Sequence, residues 1–336
     1  MKILVLRFSS IGDIVLTSPV IRCMKQQIEG LEIHYLTKSK FKTILINNPN
    51  IDKLICFEKK TAEILSLLKA ENYDYVIDLH NNIRTLKLKT QLNKKSFSFP
   101  KLNFKKWILV YLKKNLMPDK HIVERYFEAV KFFNVKNDLK PCDYFIPAED
   151  EINMKQEFEL NKYVAIALGA QYATKRLTKE KLIDIIEKMD IPLVLLGDKN
   201  DSILAEQLLK HFPEKVIFSA CGKYNLNQSA SIVKQAEVLL THDTGLMHIA
   251  SAFNKKIVSV WGNTVPELGM YPYMPQNQEN YSIHQVENLS CRPCSKIGFK
   301  SCPKKHFNCM NLQNETKISE DVIQKYSSNT SLNIEL

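Results

Sequence analysis

The chain has 336 residues, 45% hydrophobic and 25% charged, the balance of a globular protein with room for two domains. Its 9 glycines exclude collagen-like and glycine-rich disordered classes, and no apolar run approaches the ~20 residues that span a bilayer. A net charge of +11 calls for an anionic partner: nucleic acid, a phosphorylated small molecule or a membrane surface.

The first predicted element is a strand over Lys2–Arg7. Arg7 and Asp13 interrupt the N-terminal apolar stretch and no small-residue cleavage site follows, so a signal peptide is not expected and a cytoplasmic location is. In that compartment the eight cysteines read as thiols or metal ligands rather than disulfides. Further strands are predicted at Glu32–Leu36, Lys53–Phe57 and Asp74–Leu79, with helical periodicity at Pro19–Ile28 and Ala62–Lys69. From about Lys94 to Leu139 the chain turns basic, aromatic and mostly helical, and Pro141–Glu151 reads as a linker. A second series of strands follows at Tyr163–Leu168, Pro192–Gly197, Val216–Ser219, Glu237–Thr241 and Lys256–Trp261. Helical segments lie between them, near Lys179–Met189, Ile203–His211, Asn227–Lys234 and Gly245–Phe253. Alternating strand and helix implies parallel sheets, here an α/β fold of two facing Rossmann-like domains, 1–145 and 155–336, with a ligand cleft between them.

Three turns carry chemistry. "RFSSIGD" (Arg7–Asp13) follows the first strand; Ser9, Ser10 and Gly12 are small enough for a ligand to approach the backbone, and Asp13 is either a helix cap or a reacting carboxylate. The dinucleotide and P-loop glycine patterns are absent. "HDTGLMH" (His242–His248) opens a helix where backbone N–H groups and the Thr244 hydroxyl suit a phosphate, beside Asp243, Gly245 and His248. "GAQYATKR" (Gly169–Arg176) offers Lys175 and Arg176 to a diphosphate. Each feature has an ordinary alternative: a capping Asp or Thr, a packed His, a solvated surface charge.

In order and spacing, "LVLRFSSIGDIVLTSPVI", "GAQYATKR", "HDTGLMHIASAF" and "VSVWGNT" resemble glycosyltransferase family 9, the lipopolysaccharide heptosyltransferase family. The resemblance implies the GT-B fold and an inverting transfer from a nucleotide-sugar, ADP-heptose, to a lipid A-core acceptor. Asp13 is then the general base and Lys175 neutralises the departing phosphates. Asp243, Thr244 and Gly245 hold the donor beside His248. Positive charge grows at the sugar and negative charge at the diphosphate, which needs a base on one side and fixed donors on the other. No Asp-x-Asp pair is present for a metal clamp, so no cofactor is expected for the transfer itself.

Acceptor binding falls to the first half. Ser10 and Gly12 lie in the first turn, "DLHNNIRT" (Asp78–Thr85) brings His80 and Arg84 to a strand end, and His121 and Arg125 share one helical face. Structural ion pairing is the alternative for both pairs. "KKWILVYLKK" (Lys105–Lys114) is either domain core or a helix that lies on the inner-membrane surface. "CRPCSKIGFKSCPKKHFNCM" carries Cys291, Cys294, Cys302 and Cys309, with His306 nearby, in a spacing that suits a structural zinc; packed reduced thiols are the alternative. A basic nucleic-acid-binding protein with a zinc knuckle is the runner-up, although no nucleic-acid motif is present. A sugar-nucleotide-binding scaffold without activity is the third reading.

Overall fold

The computed structural model describes residues 1–328. The chain divides into two compact units, and neither is one continuous stretch of sequence. The first holds Met1–Asp150 with Ser251–Phe253 and Pro266–Gln276; the second holds the rest of the described residues. The expected domains were 1–145 and 155–336; the division falls between Asp150 and Glu151, with Ser251–Phe253 and Pro266–Gln276 grouped in the first unit.

In the first unit the strands are β1 (Lys2–Leu6), β2 (Glu32–Lys38), β3 (Lys53–Phe57), β4 (Tyr75–Asp78) and β5 (Lys95–Ser98). Every pairing is parallel and the order is β3-β2-β1-β4-β5. Central β1 has its four apolar residues, Ile3 to Leu6, buried, the continuous apolar run a strand covered on both faces requires. The helices are α1 (Ile11–Val15), α2 (Ser18–Gln27), α3 (Leu65–Ala70), α4 (Ile83–Leu92), α5 (Asn103–Trp107) and α6 (Ile122–Phe127). Leu68 of α3 with Leu88 and Leu92 of α4 pack on Leu4, Leu6 and Val76 of the sheet. β5 was not among the expected strands because it is an edge strand of sequence KSFS with no buried residue. The linker and the residues just before it are strapped to α2: Arg22 pairs with Asp138 at 2.8 Å and with Asp143 of the linker at 2.5 Å, and the Ser18 hydroxyl accepts from the Asp143 N–H.

The second unit is built on β6 (Val164–Ala167), β7 (Leu193–Leu196), β8 (Val216–Ser219), β9 (Val238–His242), β10 (Lys256–Trp261) and β11 (Tyr281–Gln285). They pair in parallel in the order β11-β10-β9-β6-β7-β8. Its helices are α7 (Met154–Phe158), α8 (Lys179–Glu187), α9 (Ser202–His211), α10 (Leu226–Gln235), α11 (Gly245–Ala252), α12 (Asn308–Asn311) and α13 (Glu315–Ser327). Leu182, Ile185 and Ile186 of α8 meet Ile318 and Val322 of α13 over Val164, Ile166 and Val258. β11 also escapes the sequence pattern: it is an edge strand, YSIHQ, half-buried throughout.

Both sheets start in the middle and grow first to one side, then to the other. The direction changes between β1 and β4 in the first unit and between β6 and β9 in the second. In open parallel sheets, ligands bind beyond the strand C-termini at that switch.

Candidate active site

In the first unit the turn after β1 runs into α1, whose N-cap is Ser10. Asp13, in the first turn, reaches back: its Oδ2 accepts from the Ser10 N–H at 3.2 Å and from the Ser10 hydroxyl at 2.6 Å. Its Oδ1 pairs with Arg7 Nη2 at 2.5 Å. Arg7 is 7% exposed and also donates to the Ser9 carbonyl at 2.8 Å and the Leu79 carbonyl at 2.5 Å. The sheet makes this possible, since Leu6 lies opposite Asp78 across the β1–β4 pair. Asp13 thus closes a capping interaction and keeps an accessible carboxylate, its side chain 23% exposed. Cap and reacting group are compatible here. Gly12 is buried at the start of α1.

The turn after β4 lies beside it. Asp78, fully buried, accepts from the His80 and Asn81 N–H groups at 3.0 and 2.7 Å, and its other oxygen pairs with Lys89 at 2.9 Å. His80 packs on Phe8 at 5.0 Å. Burial, then the positive charges of Arg7 and Lys101, push its pKa down to about 3, so the ring is neutral. Its Nδ1 has no hydrogen-bond partner among the described residues. Arg84 is exposed on the first turn of α4.

The helical pair expected to meet an acceptor is divided by the structure. His121 is the N-cap of α6; one ring nitrogen contacts the Tyr271 carbonyl at 2.8 Å and the other accepts from the Val123 N–H. Both ring nitrogens of this expected acceptor residue are engaged within the fold. Arg125 is 2% exposed and gives one nitrogen to the Leu268 carbonyl at 2.8 Å, while Nε and Nη1 have no hydrogen-bond partner among the described residues.

In the second unit Lys175 and Asp243 come together at the β6–β9 switch. Lys175 Nζ lies 2.5 Å from Asp243 Oδ2, to which the Thr264 hydroxyl also donates at 2.9 Å. The Thr244 hydroxyl lies 3.2 Å from that of Thr241 and accepts from the Met247 N–H, capping α11 where Gly245 begins it. His248 is buried on α11. His242, not among the expected residues, accepts from the Leu177 N–H at 2.9 Å and ties the two turns together. Burial pushes its pKa down to about 3.

Arg176, next to Lys175, is engaged within its own unit. It donates to the Ala170 carbonyl and pairs with buried Asp201 at 2.9 Å. The guanidinium expected to clamp a diphosphate thus braces the loop that carries Lys175, with its side chain 31% exposed. An arginine next to a lysine in a loop does not reveal this in sequence; its partner is a carboxylate on a different turn.

The cysteine segment packs on the end of β10. The Cys294 N–H donates to the Asn263 carbonyl, and Arg292 reaches the Val286 and Thr264 carbonyls. Cys309 lies in the apolar core, where burial pushes its thiol up to about 12 and the other three cysteines add to the shift. His306 caps the next turn by accepting from the Asn308 N–H. Among the described residues no group of three or more His, Cys, Asp or Glu side chains converges to hold a metal ion. The four cysteines expected to hold a structural zinc, Cys291, Cys294, Cys302 and Cys309, are near enough for the first three to raise the Cys309 thiol, without converging as such a group.

Two parallel α/β units, each with its charged turns at the switch point, are the architecture of the GT-B fold. The sequence model of glycosyltransferase family 9 (heptosyltransferase) matches residues 62–301, and the chain belongs to that family. It is 24% identical over 308 residues to lipopolysaccharide heptosyltransferase 1 of Campylobacter coli, covering 79% of this chain and 84% of that protein. The family 9 glycosyltransferase of Veillonella parvula superposes with a TM-score of 0.75 at 20% identity, covering 97% of both chains. Escherichia coli heptosyltransferase WaaC, solved with ADP, superposes with a TM-score of 0.68 at 18% identity, covering 97% of this chain and all of that one.

Proposed function

We propose that this glycosyltransferase moves heptose from ADP-heptose onto a lipopolysaccharide inner-core acceptor, with inversion at the anomeric carbon and no cofactor in the transfer. The observation that carries the reading is the Asp13 carboxylate, held on Oδ1 by Arg7 and on Oδ2 by Ser10 with part of its surface open to solvent. A base held in one orientation takes the acceptor hydroxyl's proton as the hydroxyl attacks. The leaving ADP carries the negative charge of the broken bond. Lys175 and the N-terminus of α11, with Thr244 and Gly245, are in place beforehand and stabilise that charge as it develops.

On the acceptor side, the neutral His80 offers a ring nitrogen to a sugar hydroxyl, and exposed Arg84 offers charge to a phosphate or carboxylate. Arg125 is the stronger anion candidate, because a buried guanidinium with two unused nitrogens is poorly solvated until an anion meets it. The Campylobacter relative named for lipopolysaccharide and the structure solved with ADP support the donor and acceptor. A lipid-linked acceptor puts the enzyme on the cytoplasmic face of the inner membrane as a peripheral protein.

Asp13→Asn is the test. It keeps shape and removes basicity, so turnover should fall by about two to four orders of magnitude while ADP-heptose still raises the melting temperature. Unchanged turnover would reduce Asp13 to a helix cap. In the same thermal-shift assay, stabilisation by oligonucleotides and none by ADP or ADP-heptose would overturn the reading itself.

A further inference from the structure

Phe104, Trp107 and Tyr111 fall at helical spacing along α5 and the π-helical turn Ile108–Leu112 that continues it. They are 73%, 49% and 68% exposed. Their rings form a row, Phe104 to Trp107 at 6.3 Å and Trp107 to Tyr111 at 5.5 Å. Leu112 and Leu116 continue the exposed apolar strip, while Ile108, Leu109 and Val110 on the other side are buried. The helix is therefore already anchored by one face, and the aromatic face is a second apolar surface left to water. Apolar surface gathered in one patch marks an interaction site more often than scattered residues do.

Charge selects the partner. Residues 94–118 contain seven lysines and no aspartate or glutamate. Lys105, Lys106, Lys113 and Lys114 flank the aromatic row; Lys105 and Lys114 are exposed, while Lys113 Nζ donates to the Val110 carbonyl at 2.7 Å. Long lysine stems can lie along an apolar surface while their ammonium groups reach outward. Aromatic rings with a lysine collar match the layered chemistry of a bilayer surface: acyl chains below, anionic headgroups above. The segment is also tied to the acceptor turn, since Lys101 Nζ donates to the His80 and Asn81 carbonyls at 3.1 Å.

We infer that the Phe104–Trp107–Tyr111 face is a docking surface for an anionic lipid bilayer, with the rings seated at headgroup depth and the lysines on the lipid phosphates. This deepens the proposed function and rests on it only for what the membrane carries, the lipid-linked acceptor.

The chain contains two tryptophans, and Trp261 is 1% exposed, so a change in emission on lipid binding reports Trp107. The full chain is mixed with vesicles of phosphatidylglycerol and phosphatidylethanolamine, and separately with phosphatidylcholine vesicles. Co-sedimentation and a blue shift are expected with the anionic vesicles alone, weakening as salt is raised. The triple variant Phe104→Ser, Trp107→Ser, Tyr111→Ser, which alters exposed side chains, should keep its melting temperature and bind vesicles about tenfold more weakly or worse. Its turnover on a de-acylated, soluble acceptor should equal that of the native chain. Failure of the native chain to turn over that acceptor would count against the transferase reading, separately from any vesicle result. Undiminished vesicle binding by the triple variant, or no binding by the native chain, would overturn the docking surface. Self-association that the triple variant abolishes, without vesicle binding, would assign the face to a second copy and overturn it equally.

Discussion

Arg7 and Asp13 form a buried-to-exposed pair: Arg7 Nη2 lies 2.5 Å from Asp13 Oδ1, with the arginine side chain 8% and the aspartate 23% exposed. Arg7 is also pinned by the Leu79 carbonyl at the end of the neighbouring strand. The pair therefore joins the proposed base to the β1–β4 junction. Replacing Arg7 by methionine removes both the anchor and the adjacent positive charge. Turnover should fall by about one to two orders of magnitude while ADP binding, measured by calorimetry, is unchanged. The acid limb of the pH–rate profile should move to higher pH, because a carboxylate that loses a neighbouring cation is easier to protonate. Arg7→Lys should recover part of the loss.

Lys175→Met separates phosphate recognition from nucleoside recognition. The affinity for ADP should drop about 10- to 100-fold, in line with the loss of one charge-assisted contact of about 1.5–3 kcal/mol. Adenosine, which lacks the diphosphate, should bind as before. Equal losses for both ligands would show that the variant had disturbed the turn rather than the contact.

Arg176→Met should behave differently from its neighbour. Asp201, 2% exposed, loses its guanidinium partner, so the chain should be destabilised by about 2 kcal/mol or more. The measurement is denaturant unfolding, paired with ADP titration of the folded variant. Affinity should be close to native.

His80 and His242 make acid stability a readout of the two switch points. Each ring is held neutral by burial, with its pKa lowered from 6.5 to about 3. Below pH 6.5 the unfolded chain takes up protons that the native chain refuses. The stability these groups confer is therefore complete above that pH and is lost as pH falls towards 3. By pH 5 each costs the fold about 2 kcal/mol. Melting temperature should fall between pH 7 and pH 5, and His242→Asn should flatten that fall while lowering the value at pH 7.

Gly262 admits no side chain. A Cβ there would meet Met310 Cε and the Thr174 carbonyl oxygen, each at 2.6 Å. The oxygen is backbone and cannot swing away. Gly262→Ala should lower stability by about 1–3 kcal/mol and disturb the Thr174–Lys175 turn, seen as a lower melting temperature and weaker ADP binding together.

The amino-acid sequence by itself determined the alternation of strand and helix, because apolar runs such as Ile3–Leu6 and Val164–Ala167 and the helical spacing of Leu182, Ile185 and Ile186 record burial locally. It also marked the turns that carry Asp13, Lys175 and Asp243, since small residues and cap formers follow the strands there. Edge strands β5 and β11 escaped it, being polar and little buried. What only the tertiary structure decided was how each charge is spent. Lys175 meets Asp243 because β6 pairs with β9, and Arg7 reaches Leu79 because β1 pairs with β4. Arg176 goes to Asp201 and His121 to the Tyr271 carbonyl, although their neighbours in sequence suggested ligands. Periodicity encodes which side of an element is buried; the partner of a buried charge depends on which distant turn the sheet order sets beside it.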